Sequence, residues 1–250
     1  MTTVEQPVHA SRMPLPFYMA AVLAVVIAGA ALYPRGPAPD LERLPVMADR
    51  PIDLPDGRQL FVQRHEVSVA EWNTCFLDGG CTLELRAQPD HDPAKTPATG
   101  LSYLDVQEYI RWINTATLES FRLPTASEWN AMAASVLPDK PDPLFTDPSL
   151  TWASSYLTEG IAPRALKPQG SFSTSPEGIA DLDGSVWEWT QECFAGAREG
   201  IDPNRCPAFF VGGEHVAAMS YLVRDPARGG CAVGTPPAHL GMRLVSDEPV

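Results

Sequence analysis

The densest run of reactive side chains in this 250-residue sequence lies between Gly212 and Pro237, GGEHVAAMSYLVRDPARGGCAVGTPP. Glu214, His215, Arg224, Asp225, Arg228 and Cys231 fall within it, separated by glycines and prolines that favour loop. An acid, an imidazole, a thiol and two guanidiniums brought into one cleft make a candidate ligand-binding site. Arg224 and Arg228 offer forked donors suited to a polar or anionic group. Arg224-Asp225 also reads as a plain ion pair within the loop. The other histidines carry less: His65 ends an apparent strand, His239 precedes one, and His91 sits in Asp-His-Asp-Pro, too crowded for a sound metal site. Nucleophile elbow, P-loop, dinucleotide-binding and zinc-protease patterns are absent from the sequence, so the common classes built on them have no support.

Five cysteines occur, at 75, 81, 193, 206 and 231. Cys75 and Cys81 bracket a Gly-Gly turn, which suits a small disulfide loop at a helix end. Cys193 and Cys206 bracket a second loop rich in Gly and Pro, although Cys231 is able to replace either partner. Without a C-x-x-C pair, a zinc ribbon or thioredoxin-type redox site has no basis. Two disulfides and one remaining thiol point to an oxidising compartment, with five unrelated buried thiols as the alternative.

Lys plus Arg number 18 against 31 Asp plus Glu, a net charge of −13 that argues against coating nucleic acid. Twenty-six prolines exclude a helical bundle and predict long ordered loops. After a short tail (1–16), residues 17–33 carry no charge. As a helix they would span about 25 Å, just short of the ~30 Å hydrocarbon core. The segment reads as one transmembrane anchor. A signal peptide cleaved near Ala28-Gly29-Ala30 is the alternative, and a core helix is disfavoured because no face is polar. Arg12 and Arg35 oppose each other, so charge sets little orientation; the cysteines favour a domain in an oxidising compartment reached through this segment. Residues 34–55 read as a Pro-rich linker, and 56–250 as one domain.

Ser68…Glu71, Ser102…Asp105 and Thr125…Glu128 each set a hydroxyl three residues before a carboxylate, predicting three helix starts. In the second helix Tyr103, Leu104, Val106, Tyr109, Ile110 and Ile113 are expected to form the buried stripe. Gln59–Gln63 and Met242–Val245 read as short strands, and 138–182 as loop. The class is α+β with low regular secondary structure.

Several motifs then carry a resemblance. Arg122-Leu-Pro-Thr-Ala-Ser-Glu-Trp129, Gly184-Ser-Val-Trp-Glu-Trp189 and Leu240-Gly-Met-Arg-Leu-Val245 resemble signatures of the formylglycine-generating enzyme (sulfatase-modifying factor) superfamily. His65-Glu-Val-Ser-Val69, Pro97-Ala-Thr-Gly-Leu-Ser102 and Gly212-Gly213 fall in matching order. The resemblance covers roughly residues 60–246 and implies a single complex domain related to the C-type lectin fold. It also implies a copper(I) site on paired cysteines, at positions near Ala217 and Leu222, where this sequence has none. Neither formylglycine formation nor copper at that site is therefore expected. Calcium sites are implied too, with Asp181, Ser185 and Glu188 as the eroded candidate ligands. The Gly212–Pro237 segment resembles a branch encoded beside copper nitrite reductases in denitrifying bacteria, whose members are regarded as accessory proteins. The expectation is a membrane-anchored accessory protein assisting a partner such as nitrite reductase; the alternative is an enzyme using a His/Cys/Arg pocket for oxidation or transfer.

Overall fold

Three hydroxyl residues set the helices. Ser68, Ser102 and Thr125 each cap the N3 amide, while Glu71, Asp105 and Glu128 accept from the backbone N–H of the cap in return. These boxes start α1 (Val69–Leu77), α2 (Tyr103–Thr117) and α3 (Ala126–Ala133). The computed structural model describes residues 38–137, 165–194, 206–213, 216–225 and 239–250. The expected anchor at 17–33, and Glu214, His215, Arg228 and Cys231, lie outside these residues. Among the described residues, no helix is long and apolar enough to cross a membrane.

Asp105 is shorter than the usual glutamate of a capping box, yet its box closes. Its Oδ2 accepts from Ser102 N at 2.8 Å and from Ser102 Oγ at 2.6 Å. The fold buries Asp105, together with Val106, Tyr109, Ile113 and Thr117, on the inner side of α2. Tyr109 stacks on Trp72 of α1, with ring centroids 5.5 Å apart. Leu104, expected on the buried stripe, is 49% exposed. The capped residue two positions after Ser102 starts the helix outward, and the inward place falls to the capping acid beside it.

Two small sheets carry the rest. β1 (Ile52–Asp53), β2 (Gln59–Val62) and β7 (Val245–Ser246) pair antiparallel in the order β1-β2-β7. β3 (Val186–Cys193), β4 (Ala208–Gly212), β5 (Ala217–Ser220) and β6 (His239–Gly241) form the second, in the order β5-β4-β3-β6, with only the β3–β6 pair parallel. The first five residues of β3, including the whole Trp-Glu-Trp motif, are buried, so this strand is covered on both faces.

Two expectations change at this level. The linker does not extend to residue 55, because Asp40–Val250 make one compact unit. Asp40 N donates to Ala116 O, and Ala48 N to Val62 O, both at 2.8 Å, which lays residues 40–48 onto the domain. Proline there restricts the chain without preventing main-chain pairing by its neighbours. The strand expected at Met242–Val245 is interrupted too. Met242, Arg243 and Leu244 lie between β6 and β7, all 0% exposed, and carry the chain from one sheet to the other.

The Gly212-Gly213 pair owes its residue type to close packing. A Cβ at Gly212 would overlap the Trp129 indole, and one at Gly213 the Trp187 indole.

Cys75 is joined to Cys81, closing the turn at the end of α1, and Cys193 to Cys206, linking the end of β3 to the approach of β4. A six-residue separation limits the unfolded chain modestly. The Cys75→Ser/Cys81→Ser pair should lose about 2 kcal/mol of unfolding free energy in urea titration. An unchanged midpoint would show that the link contributes no net stability.

Candidate functional site

The cleft expected from the Gly212–Pro237 segment is represented among the described residues by Arg224 and Asp225. Arg224 follows β5 and lays its guanidinium fork on the capping carboxylate of α2, Nε to Asp105 Oδ2 at 2.8 Å and Nη2 to Oδ1 at 2.6 Å. Burial alone would raise the Asp105 carboxyl, but Arg224 and the Ser102 donors hold it below the ordinary value. The fork that the sequence offers to a ligand thus fastens the loop after β5 to the start of α2. Asp225 is engaged by other groups as well.

A second assembly was not singled out from the sequence. Arg243, fully buried, lies between the two sheets. Its Nε and Nη2 donate to Glu188 Oε1 at 3.0 and 2.8 Å. Nη1 donates to the carbonyls of Gln63 and Arg64 at 3.0 and 2.6 Å, and Nη2 also to that of Ala180 at 2.8 Å. The other Glu188 oxygen accepts from the Trp129 indole N–H at 2.9 Å. Glu66 completes the group, its Oε2 lying 3.7 Å from Arg243 Nη2 and having no hydrogen-bond partner among the described residues. One cation faces two buried carboxylates, and Glu188 holds the hydrogen bonds. Burial, with repulsion from Glu188, pushes the Glu66 carboxyl up to about 8 against the pull of Arg243. The signal was present in the sequence. Glu188 and Arg243 are lone charges inside the apolar runs Val-Trp-Glu-Trp and Gly-Met-Arg-Leu-Val, where a buried charge requires a partner.

This assembly also decides the fit of the implied metals. Calcium takes roughly six to eight oxygens, carboxylates among them. Asp181, at a left-handed φ of 66°, accepts instead from the backbone amides of Gly170 and Phe172 at 2.5 and 2.9 Å. Glu188 is neutralised by Arg243, and Ser185 Oγ is buried without a hydrogen-bond partner among the described residues. These three side chains do not fit a calcium cage. Among the described residues, no group of three or more His, Cys, Asp or Glu side chains is arranged to hold a metal ion. Copper(I) requires soft ligands, and the paired-cysteine positions do not supply them. Ala217 is packed in the core on β5, Leu222 is 60% exposed, and Cys193 and Cys206 are bonded to each other.

The motifs that resemble family signatures are thereby parts of one scaffold, and comparison with known proteins agrees. Residues 23–248 match the sulfatase-modifying factor enzyme 1-like domain. The chain belongs to this family. It is 27% identical over 226 residues to the formylglycine-generating enzyme of Mycobacterium tuberculosis, a match covering 79% of this chain and 69% of that protein. The solved structure of PvdO from Pseudomonas aeruginosa superposes with a TM-score of 0.50 at 14% identity, over 85% of this chain and 99% of that one. The latter likeness concerns the fold alone. The observed α+β architecture, with few helices and two curled sheets, fits this family.

The buried charge group predicts opposite behaviour for its two acids. In the unfolded chain Glu66 ionises near 4.5, and in the folded protein near 8, so the native state binds the extra proton between these values. Stability from this group is full below about pH 4.5 and is lost as pH rises toward 8. Glu66→Gln should therefore flatten the pH dependence of the melting temperature between pH 5 and 8, raising it relative to the parent at pH 8. Glu188→Gln should cost about 3 kcal/mol by removing the carboxylate that holds the hydrogen bonds of Arg243. Equal melting profiles for the parent and Glu66→Gln would refute the assignment of the proton.

Proposed function

We propose that this chain is a non-catalytic accessory member of its family. In this reading residues 17–33 anchor it in a bacterial inner membrane, and the domain works in the periplasm. There it binds another protein and assists its maturation or function, a copper nitrite reductase being the proposed partner. The observation that supports this reading is the occupancy of the paired-cysteine positions. A buried alanine and an exposed leucine stand there, and neither side chain bears a metal ligand or a nucleophile. Its remaining support is the resemblance of the Gly212–Pro237 segment to the accessory branch.

A second reading keeps catalysis on this fold, with His215, Arg228 and Cys231 forming a pocket for an oxidation or transfer. Similarity to a formylglycine-generating enzyme favours it. The two readings part on chemistry. Incubated with copper, oxygen, a reductant and a sulfatase-motif peptide, the protein should leave the peptide cysteine unchanged in mass. The tagged chain should retain nitrite reductase from a periplasmic extract of its own host. Formylglycine formation, or retention equal to that of an untagged control, would overturn the accessory reading.

Topology has its own test. Alkaline phosphatase fused after Val250 should be active, and a fluorescent protein fused there after Sec export should remain dark. A bright, phosphatase-negative pair would place the domain in the cytoplasm.

A further inference from the structure

A cavity of about 480 Å³ opens beside the start of α1, and none of the charged side chains around Arg243 lines it. Its polar lining is Arg86, Gln88, His91, Thr96, Thr99 and His239. Arg86, Gln88 and His91 come from the irregular segment that follows the Cys81 turn. Thr96 and Thr99 come from the stretch leading into α2, and His239 opens β6. Local bonding shapes this wall. His91 N donates to Gln88 O at 2.9 Å, and Thr96 Oγ1 donates to Asp92 O at 2.7 Å, so the Asp-His-Asp-Pro stretch is a turn.

The charge of the lining is opposite to that of the chain. The sequence holds 31 acidic residues among 250 and a net charge of −13, yet among the described residues none that lines the cavity is Asp or Glu. One arginine and two of the five histidines of the whole sequence are there instead. A guanidinium, two imidazoles, an amide and the Thr99 hydroxyl give a donor-rich wall, the Thr96 hydroxyl being donated to Asp92 O, and Leu85 and Leu166 lend an apolar one. The volume lies in the range of small-molecule sites. Glu84, 3.9 Å from Arg86, is the acid paired with that guanidinium, and both side chains are more than half exposed. A surface pair of that kind yields readily to a ligand.

We propose that this cavity binds a small organic oxyanion, with its carboxylate or phosphate head toward Arg86 and the histidines and an apolar body against Leu85 and Leu166. The proposal is independent of the accessory reading, since it requires neither a protein partner nor catalysis.

Isothermal titration of the full-length protein in mild detergent tests it with benzoate, phenyl phosphate, benzyl alcohol and benzylamine. These share one ring and differ in head group. At least one anion should bind tenfold more tightly than benzyl alcohol, and benzylamine should bind no better than the alcohol. Preference for benzoate would assign a carboxylate ligand, and preference for phenyl phosphate a phosphate one. Arg86→Gln and His91→Gln should each weaken the preferred anion at least threefold. The Arg86 side chain is 86% exposed, so its loss leaves the fold in place, and melting curves of each variant check this. The proposal is overturned if no anion saturates at millimolar concentration, if the alcohol binds equally well, or if folded Arg86→Gln and His91→Gln bind the anion as the parent does.

Discussion

The constraint on which the domain depends is the burial of one guanidinium. Arg243 has no exposed surface and must satisfy its donors within the protein. It does so by drawing on four stretches far apart in sequence: β3 through Glu188, the end of β2 through Gln63 and Arg64, the loop at Ala180, and Glu66 before α1. A hydrophobic residue in its place would pack without specifying which segments meet. A buried fork accepts only carbonyls and carboxylates set at matching angles, and so it fixes the relation of the two sheets. Such groups do not guarantee stability, because desolvating each charge costs several kcal/mol. Here they impose one arrangement on a chain with little regular structure.

Tryptophan packing extends the same constraint. Trp129 of α3 reaches Glu188 through its indole N–H, while Trp189 donates to Leu101 O at 2.8 Å. Gly212 and Gly213 leave the space that Trp129 and Trp187 occupy. Arg122 adds a more exposed charge network beside α3, bonded to both oxygens of Glu128 and to Asp247. The Arg-Leu-Pro-Thr, Trp-Glu-Trp and Gly-Met-Arg-Leu-Val motifs thus act together as architecture. Their presence identifies the fold and carries no information on catalysis, which resides in loops set on that scaffold.

Scaffold and loop divide the work in this chain. Arg224 illustrates it. In the sequence it stands in a loop dense with functional groups, whereas in the structure it anchors that loop to the α2 cap. A residue near a functional segment can owe its type to holding the segment in place. The donor-rich cavity lined by Arg86, His91 and His239 draws instead on the irregular segments around α1 and on the start of β6.

Local chemistry was legible in the sequence. The three capping boxes announce their helices because hydroxyl and carboxylate lie three residues apart, a distance the helix itself sets. The six-residue spacing of Cys75 and Cys81 likewise brings them within reach of each other. The α+β class followed from proline content and these short-range signals, and the family from ordered motifs. Other features depend on groups distant in the chain. Asp105, turned inward by its own capping box, finds its countercharge in Arg224, more than a hundred positions later. Glu188 reads as a calcium ligand until Arg243 is placed beside it, and residues 40–55 read as linker until β2 is there to pair with them. The sequence determined which charges had to be accommodated. Only the tertiary structure decided which partner each would take, because a long-range ion pair leaves no spacing by which to recognise it.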